Sequence, residues 1–205
     1  MSASAAVRPL VPTLYESNIL GSAPTLNPTV LNYALWASQS AKKHGINVRN
    51  QHLTIIDYSL PSTQPRLWVI DLTKDKSIMN LLVAHGANSG DLYAKHFSNR
   101  VDSHESSLGL FLTGDSYKGP RGYSLVLSGL DKGFNSNARK RSVVLHSNDL
   151  VNFQEAAKGS LIRSWGCIMV DSSIVDPLIN TIKDGSLLFA YYPDKHWLGS
   201  SDFLR

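Results

Sequence analysis

The hydrophobic periodicity of this 205-residue chain changes near residue 50, and that change limits the fold. Before it, apolar residues recur with helical spacing from Val30 to Ala41, after an Asn27-Pro28 pair typical of a helix start and before a His44-Gly45 stop. After it, short runs with the period of a strand are separated by turns. These runs are HLTIIDYSL, PRLWVIDL, MNLLVAHG, SLGLFLTG, GYSLVLSGL, RSVVLHS, CIMV and SLLFAYYP, and the first three predict an antiparallel meander.

Two short helices are predicted among the later strands. One lies between Asn148 and Lys158, and the other runs from a cap at Ser172 or Ser173 to a stop at Gly185. Residues 1–26 are rich in Pro, Ser and Ala and are predicted to form an N-terminal arm or loosely packed lead-in. We therefore expect residues 27–205 to form a single, mainly β domain with a few helices and one helix packed at its start.

The composition indicates a folded globular domain. Hydrophobic residues make up 42% of the chain and charged residues 18%, and no stretch reaches the length of a transmembrane helix. The net charge is +4, but the basic residues are scattered, and the tightest cluster, Arg139-Lys140-Arg141, is short enough to be a solvated turn. A nucleic-acid partner is therefore not expected.

The chain has one cysteine, Cys167, so it has no internal disulfide and no site with several thiolate ligands for zinc. Such a residue is either a small buried hydrophobe or a reactive thiol. The seven histidines contain no HExxH run, and no pair of carboxylates is spaced to share a helix face. We expect no metal and no cofactor.

His146 and Cys167 are the residues most suited to chemistry. His146 ends one predicted strand, and Cys167 begins the next apolar run directly after Gly166. If these strands are neighbours, the histidine can take the thiol proton and produce the nucleophilic thiolate. The amides of Gly166 and Cys167 are candidate donors to the oxyanion of a tetrahedral intermediate, which suggests acyl transfer. A buried cysteine with an unrelated surface histidine is the alternative.

A family resemblance adds to this interpretation. His146, seventeen intervening residues and then Ser164-Trp165-Gly166-Cys167 resemble the signature of bacterial L,D-transpeptidase (YkuD-type) catalytic domains, which is His, a gap, then Ser or Thr, His, Gly and Cys. Trp165 replaces the second histidine of that signature. Further segments resemble the divergent murein L,D-transpeptidase catalytic domain family over roughly residues 30–193. They are His85-Gly86, Phe97-Ser98-Asn99, Ser106 to Gly109, Tyr117-Lys118-Gly119, Gly122 to Leu125, and Asn135 to Arg141.

The resemblance implies a β-sandwich-like catalytic domain that acts on peptidoglycan stem peptides. Cys167 would attack the bond between the L-centre of a third-position diaminopimelate and a terminal D-alanine, with His146 as base and with Ser164 and Gly166 in the catalytic motif. An amine acceptor would then give a 3-3 cross-link, and a carbapenem would be a covalent inhibitor. L,D-carboxypeptidase, amidase or D-amino-acid exchange activity, or a decayed wall-binding module, are the alternatives.

Several other residues are candidates for substrate contact. Arg163 has the guanidinium geometry to bind a substrate carboxylate, although a surface arginine is the alternative. His85 lines the cleft or is a structural histidine, and Trp165 forms a cleft wall or belongs to the core. Short polar side chains at Asn99 and Ser107 contact substrate or satisfy their own loops. Tyr123, in the Gly122 to Leu125 segment, completes the predicted set.

The expected location follows from the resemblance, because peptidoglycan lies outside the cytoplasmic membrane. The N-terminal stretch MSASAAVRPLVP has no visible secretion signal. This fits either a cytosolic protein or a chain whose export signal has been removed. The resemblance favours the second, a periplasmic or exported protein.

Overall fold

The computed structural model describes residues 13–205. The helices are α1 (Leu14–Ser22), α2 (Pro28–Lys43), α3 (Phe153–Ala156), α4 (Val175–Ile182) and α5 (Lys195–Ser200), with a 3-10 turn at Ala87–Ser89. The strands are β1 (His52–Asp57), β2 (Leu67–Asp71), β3 (Lys76–Leu81), β4 (Gly109–Gly119), β5 (Gly122–Gly129), β6 (Val144–Ser147), β7 (Ile168–Val170) and β8 (Leu187–Tyr191).

All eight strands belong to one hydrogen-bonded sheet, in the order β3-β2-β1-β8-β4-β5-β6-β7. The β1–β2–β3 and β8–β4–β5–β6 ladders are antiparallel, whereas β1 pairs with β8 and β6 pairs with β7 in parallel. The predicted mainly β fold, with a few helices and an antiparallel meander at the start, is confirmed. In residues 13–205, none of the helices combines the length and hydropathy that a bilayer crossing needs.

The N-terminal lead-in differs from the prediction. Thr13 and Glu16 form a capping box at the start of α1, in which the Thr13 hydroxyl accepts from the Glu16 amide and the Glu16 carboxylate accepts from the Thr13 amide. Ile19 is fully buried, and the Ser22 hydroxyl accepts a 2.8 Å bond from the Ser77 amide of β3. Residues 13–26 are therefore a packed part of the domain and not a loose arm. The rest of the predicted arm, residues 1–12, lies outside the described residues.

Helix α2 begins as the sequence predicts. The Asn27 side chain accepts from the Thr29 amide, and Pro28 occupies the first turn, where its missing N–H costs no hydrogen bond. The apolar face of α2 is buried against β1 and β8. Helix α4 differs in its start, because Ile174 occupies the cap position and Asp171 instead accepts from the Ser173 amide in the preceding turn.

The parallel β6–β7 pair places the chemistry-bearing strands side by side. His146 of β6 lies opposite Met169 of β7. Part of the excursion between the two strands is buried in a small apolar cluster, together with residues from outside it. Leu82, Ala84, Val151, Ala156, Leu161 and Met169 form that cluster.

Candidate active site

Two cavities reach Cys167, the residue that follows the Ser164-Trp165-Gly166 turn. The larger, of about 290 Å³, is lined by Arg121, His146, Ser147, Asn148, Ser164, Trp165, Cys167 and Met169. The smaller, of about 90 Å³, is lined by Asp102, His104, Arg121, Arg141, Ser142, Trp165 and Cys167. Cys167 itself is only 4% exposed, so a reagent must enter a cavity to reach its sulfur.

The β6–β7 register brings His146 and Cys167 to the same face of the sheet. Cys167 precedes Met169 by two residues, and side chains two apart along an extended strand point to the same side. Both side chains accordingly line the larger cavity. No direct hydrogen bond joins the imidazole to the sulfur within residues 13–205, and catalytic hydrogen bonds commonly tighten only when substrate binds.

The orientation of the His146 ring is fixed by its own strand. Nδ1 lies 2.8 Å from the Ser147 carbonyl oxygen, which can only accept, so Nδ1 carries the proton of the neutral ring and Nε2 is left as the basic nitrogen. Burial lowers the pKa of His146 from 6.5, and the positive charge of Arg121 lowers it further, while the bond to Ser147 opposes this shift. The imidazole is therefore neutral at physiological pH, as a general base must be.

Ser164 shapes the turn that presents Cys167. Its hydroxyl donates to the Cys167 carbonyl over 2.7 Å and accepts from the Gly166 amide over 3.0 Å. Its own amide donates to the His85 carbonyl over 2.9 Å, which ties the turn to the neighbouring segment. The Gly166 amide is therefore engaged, whereas no acceptor in residues 13–205 contacts the Cys167 amide.

Gly166 occupies a position that no other residue fits. Its φ of +108° lies in the region that favours glycine. A Cβ atom added there would lie 2.9 Å from the Glu105 carbonyl oxygen and 3.0 Å from a guanidinium nitrogen of Arg141. The turn can therefore pack this closely only with glycine at position 166.

We expect Gly166→Ala to destabilise the protein and to displace Cys167. Backbone strain and the forced movement of the Glu105 segment together cost roughly 2–4 kcal/mol of unfolding free energy, measured by chemical denaturation. Gly133→Ala is the matched control, because Gly133 has a φ of +86° but open space around its Cβ position, so it tests strain without crowding. Equal losses in the two variants would contradict the close packing at Gly166.

Arg141 is not part of a solvated turn as predicted, but a half-buried organiser of the loop beside Gly166. Its guanidinium donates over 2.6 Å to the carbonyls of Ser98 and Glu105, and also to the hydroxyls of Ser103 and Ser107. Ser107 in turn donates to the Ser98 carbonyl. The Ser107 hydroxyl is thus hydrogen-bonded within its own loop, which favours a structural role over contact with substrate.

The structure does not bring His85 to either cavity. The side chain is buried, Nδ1 accepts from Arg66 over 2.8 Å, and Nε2 donates to the Gly90 carbonyl over 3.1 Å. Burial lowers the pKa of His85 to about 4, with the neighbouring Arg66 adding to the shift. His85 is therefore a neutral ring with both nitrogens hydrogen-bonded, and its backbone carbonyl accepts from the Ser164 amide. These contacts favour a structural histidine over a residue that lines the cleft.

Three further candidates also lie away from the cavity linings. Asn99 bonds to the backbone and side chain of Asn137. The Tyr123 hydroxyl contacts Ser116 and Asn180. Arg163, the expected carboxylate-binding residue, forms an ion pair with Asp91 instead.

Trp165 forms a wall of both cavities. It is 69% exposed, so it is not a core residue, and its ring stacks on His104 with centroids 4.9 Å apart and planes 10° apart. The residue that departs from the family signature thus provides a flat aromatic surface beside the nucleophile.

Arg121 is one of the cavity residues for which the sequence gives no local signal. It lies in the turn between β4 and β5, and its Nη1 donates to Cys167 Sγ over 3.3 Å. Its position depends on how the hairpin folds over β6 and β7, which no local sequence signal reports. Within residues 13–205, no three His, Cys, Asp or Glu side chains group as metal ligands do.

Comparison with known proteins identifies the family. Residues 22–191 match the model of a family described as the L,D-transpeptidase catalytic domain. No curated protein matches significantly. Among solved structures, an L,D-transpeptidase from Xylanimonas cellulosilytica is 14% identical, with a TM-score of 0.40 over 75% of this chain and 69% of its own. The L,D-transpeptidase from Mycobacterium smegmatis is 11% identical, with a TM-score of 0.41 over 69% of this chain and 59% of its own. The L,D-transpeptidase from Stackebrandtia nassauensis is 12% identical, with a TM-score of 0.39 over 88% of this chain and 77% of its own. On the family match, which covers well over half of its length, this chain belongs to the L,D-transpeptidase catalytic domain family.

Proposed function

We propose that this protein is a cysteine-dependent acyltransferase that acts on peptidoglycan stem peptides, with Cys167 as nucleophile and His146 as base. The observation that carries the proposal is the shared cavity, which is lined both by a neutral, oriented imidazole and by the only thiol of the chain. Family membership supplies the substrate class.

The first half of the reaction forms a thioester. The Cys167 thiol proton passes to Nε2 of His146, and the sulfur attacks the carbonyl carbon that precedes the terminal D-alanine. The Cys167 amide donates to the resulting oxyanion. The C–N bond then breaks, and the proton held by His146 passes to the leaving amine, so that free D-alanine departs.

The second half decides the product. An amine of another stem peptide attacks the thioester, its proton passes to His146, and the sulfur leaves, which yields a 3-3 cross-link. Water in place of the amine yields a trimmed stem, and another D-amino acid yields exchange. We propose cross-linking as the main reaction, with L,D-carboxypeptidase, amidase or exchange activity as side outcomes of the same thioester.

The size of the larger cavity suits the end of a stem peptide. A volume of about 290 Å³ lies at the lower limit for small-molecule sites, enough for a few residues of peptide but not for a glycan strand. Because such stems lie outside the cytoplasmic membrane, we propose a periplasmic or otherwise exported location for the protein.

Incubation of the purified protein with disaccharide-tetrapeptide muropeptides is expected to give dimers and free D-alanine. Liquid chromatography with mass spectrometry measures both products, and fragmentation of the dimer identifies the 3-3 linkage. Cys167→Ser protein, which keeps the shape of the site but lacks the thiol, is the control. Trimmed monomers without dimers would show that the main reaction is hydrolysis and not cross-linking. Unchanged muropeptides would contradict acyl transfer on this substrate.

A further inference from the structure

The hairpin formed by β4 and β5 brings a fixed positive charge to the reacting sulfur. Gly119 pairs with Gly122, so Arg121 lies in a two-residue turn at the end of the hairpin. From there its Nη1 donates to Cys167 Sγ over 3.3 Å. Arg121 also lines both of the cavities described above that reach Cys167.

Other charged and titratable side chains face Cys167, and each has a different relation to the sulfur. The histidines are His146 on β6 and His104 on the loop before β4, which stacks on Trp165. Arg141 lines the smaller cavity and interacts with the charge of Cys167, but its guanidinium is held by bonds to oxygens of that loop. The acidic groups from the same loop are Asp102, which lines the smaller cavity, and Glu105, which lies near Arg141.

Among these groups within residues 13–205, Arg121 is the cation that donates to the sulfur. Before proton transfer His146 is neutral at neutral pH, because burial and Arg121 itself lower its pKa. A guanidinium keeps its charge at every pH at which the protein is folded, and hydrogen bonds with a charged partner are the stronger kind. A sulfur anion formed at this position therefore has a hydrogen-bonded counter-charge in the hairpin turn.

We propose that Arg121 is a third catalytic residue, which stabilises the thiolate of Cys167 while His146 accepts and returns the proton. The inference rests on the proposed acyl transfer for its purpose. In the step concerned, the S–H bond breaks, its electron pair stays on sulfur, and the proton passes to Nε2 of His146. Arg121 exchanges no proton. It stabilises the charge on sulfur before attack and again when the thioester is resolved.

Titration of the thiolate tests this proposal without any substrate. The ultraviolet absorbance of the thiolate, taken as the difference from Cys167→Ser protein, is followed over pH in wild type and in Arg121→Gln, Arg121→Lys and His146→Gln proteins. An opposite charge in contact with a titrating group moves its midpoint by about one pH unit or more. Because Arg121 is exposed, we expect a shift of about one unit upward in Arg121→Gln, with roughly tenfold slower alkylation at neutral pH, both reduced at high salt.

The other variants separate charge from structure. Arg121→Lys keeps the charge but loses the planar donor group, so it is expected to recover part of the shift. His146→Gln is expected to move the midpoint less than Arg121→Gln does. Lys118→Gln removes an exposed cation from the same hairpin without touching either cavity, and it is expected to leave the midpoint in place.

Two results would overturn the proposal. One is an unchanged midpoint in Arg121→Gln protein that melts at the wild-type temperature. The other is a larger shift in His146→Gln than in Arg121→Gln, which would assign the counter-charge to the imidazolium. Neither result depends on muropeptide turnover. A shifted midpoint in Arg121→Gln, together with no product from wild type, would support the role of Arg121 and contradict the proposed substrate. Normal cross-linking by wild type, together with an unchanged midpoint in Arg121→Gln, would support the substrate and contradict the role of Arg121.

Discussion

Cys167→Ala is expected to abolish covalent chemistry at this site. Wild type treated with a carbapenem should gain the mass of one drug molecule, because a thiolate opens the strained ring carbonyl and remains attached to it. Cys167→Ala protein should gain none, and its muropeptide turnover should fall to less than about one-thousandth of wild type, since loss of a nucleophile removes the whole two-step route. Intact-mass spectrometry measures the first effect and product analysis the second.

The position of the adduct provides the sharper part of this test. Cys167 is the only cysteine, so peptide mapping of drug-treated wild type should place the added mass on the peptide that contains it. The thermal melting curve of Cys167→Ala serves as the folding control, because a sulfur only 4% exposed also has packing neighbours. A carbapenem adduct that persists in Cys167→Ala protein would contradict the role of Cys167 as the nucleophile.

The sequence is enough to place His146 and Cys167 close together because the information needed is local. His146 is the next-to-last residue of β6, Cys167 directly precedes β7, and only the adjacency of the two strands is needed to bring the side chains together. Ser164 and Gly166 follow from the same short segment, as their hydrogen bonds lie within the turn itself. The fold class is equally accessible, since hydrophobic period and turn residues determine strands without knowledge of their order.

The rest of the site depends on contacts between segments far apart in the sequence. Arg121 reaches the sulfur of Cys167 only because β5 pairs with β6, which places the hairpin turn over the nucleophile. Arg163 is adjacent to the motif and chemically suited to a carboxylate, but Asp91, 72 residues earlier, forms an ion pair with it. Residue chemistry alone cannot distinguish these two arginines.

Buried polar partners explain the other differences. Arg66 is fully buried and lies between the Val83 carbonyl and the ring of His85, so His85 becomes part of an internal hydrogen-bond network rather than a cavity wall. Arg141 belongs to a basic triplet that resembles a solvated turn, yet it binds four oxygens of one loop. In both cases an arginine is partly or fully removed from solvent and hydrogen-bonded to acceptors far away in the sequence, which periodicity and composition do not reveal.

His146→Gln is expected to reduce acyl transfer by about 10²- to 10⁴-fold, the usual contribution of a general base. Glutamine preserves polarity and approximate size but cannot accept the thiol proton, so thioester formation should slow even where thiolate is present. The rate of carbapenem acylation, measured by stopped-flow or by intact mass over time, reports this step directly. His196→Gln, an exposed histidine on α5 that lines neither cavity, is the matched control and should acylate at the wild-type rate.

The pH profile connects this loss to the ionisation of one ring. His146 works as a base only when neutral, and its pKa is lowered from 6.5 by burial and by Arg121. The loss of wild-type acylation rate that comes from protonation of the ring should therefore occur only below pH 6.5. In His146→Gln this acid-side limb should disappear, and in Arg121→Gln it should move to higher pH, because the neighbouring positive charge no longer opposes protonation. An acid limb that survives unchanged in His146→Gln would assign the base to another residue and leave His146 as a wall of the cavity.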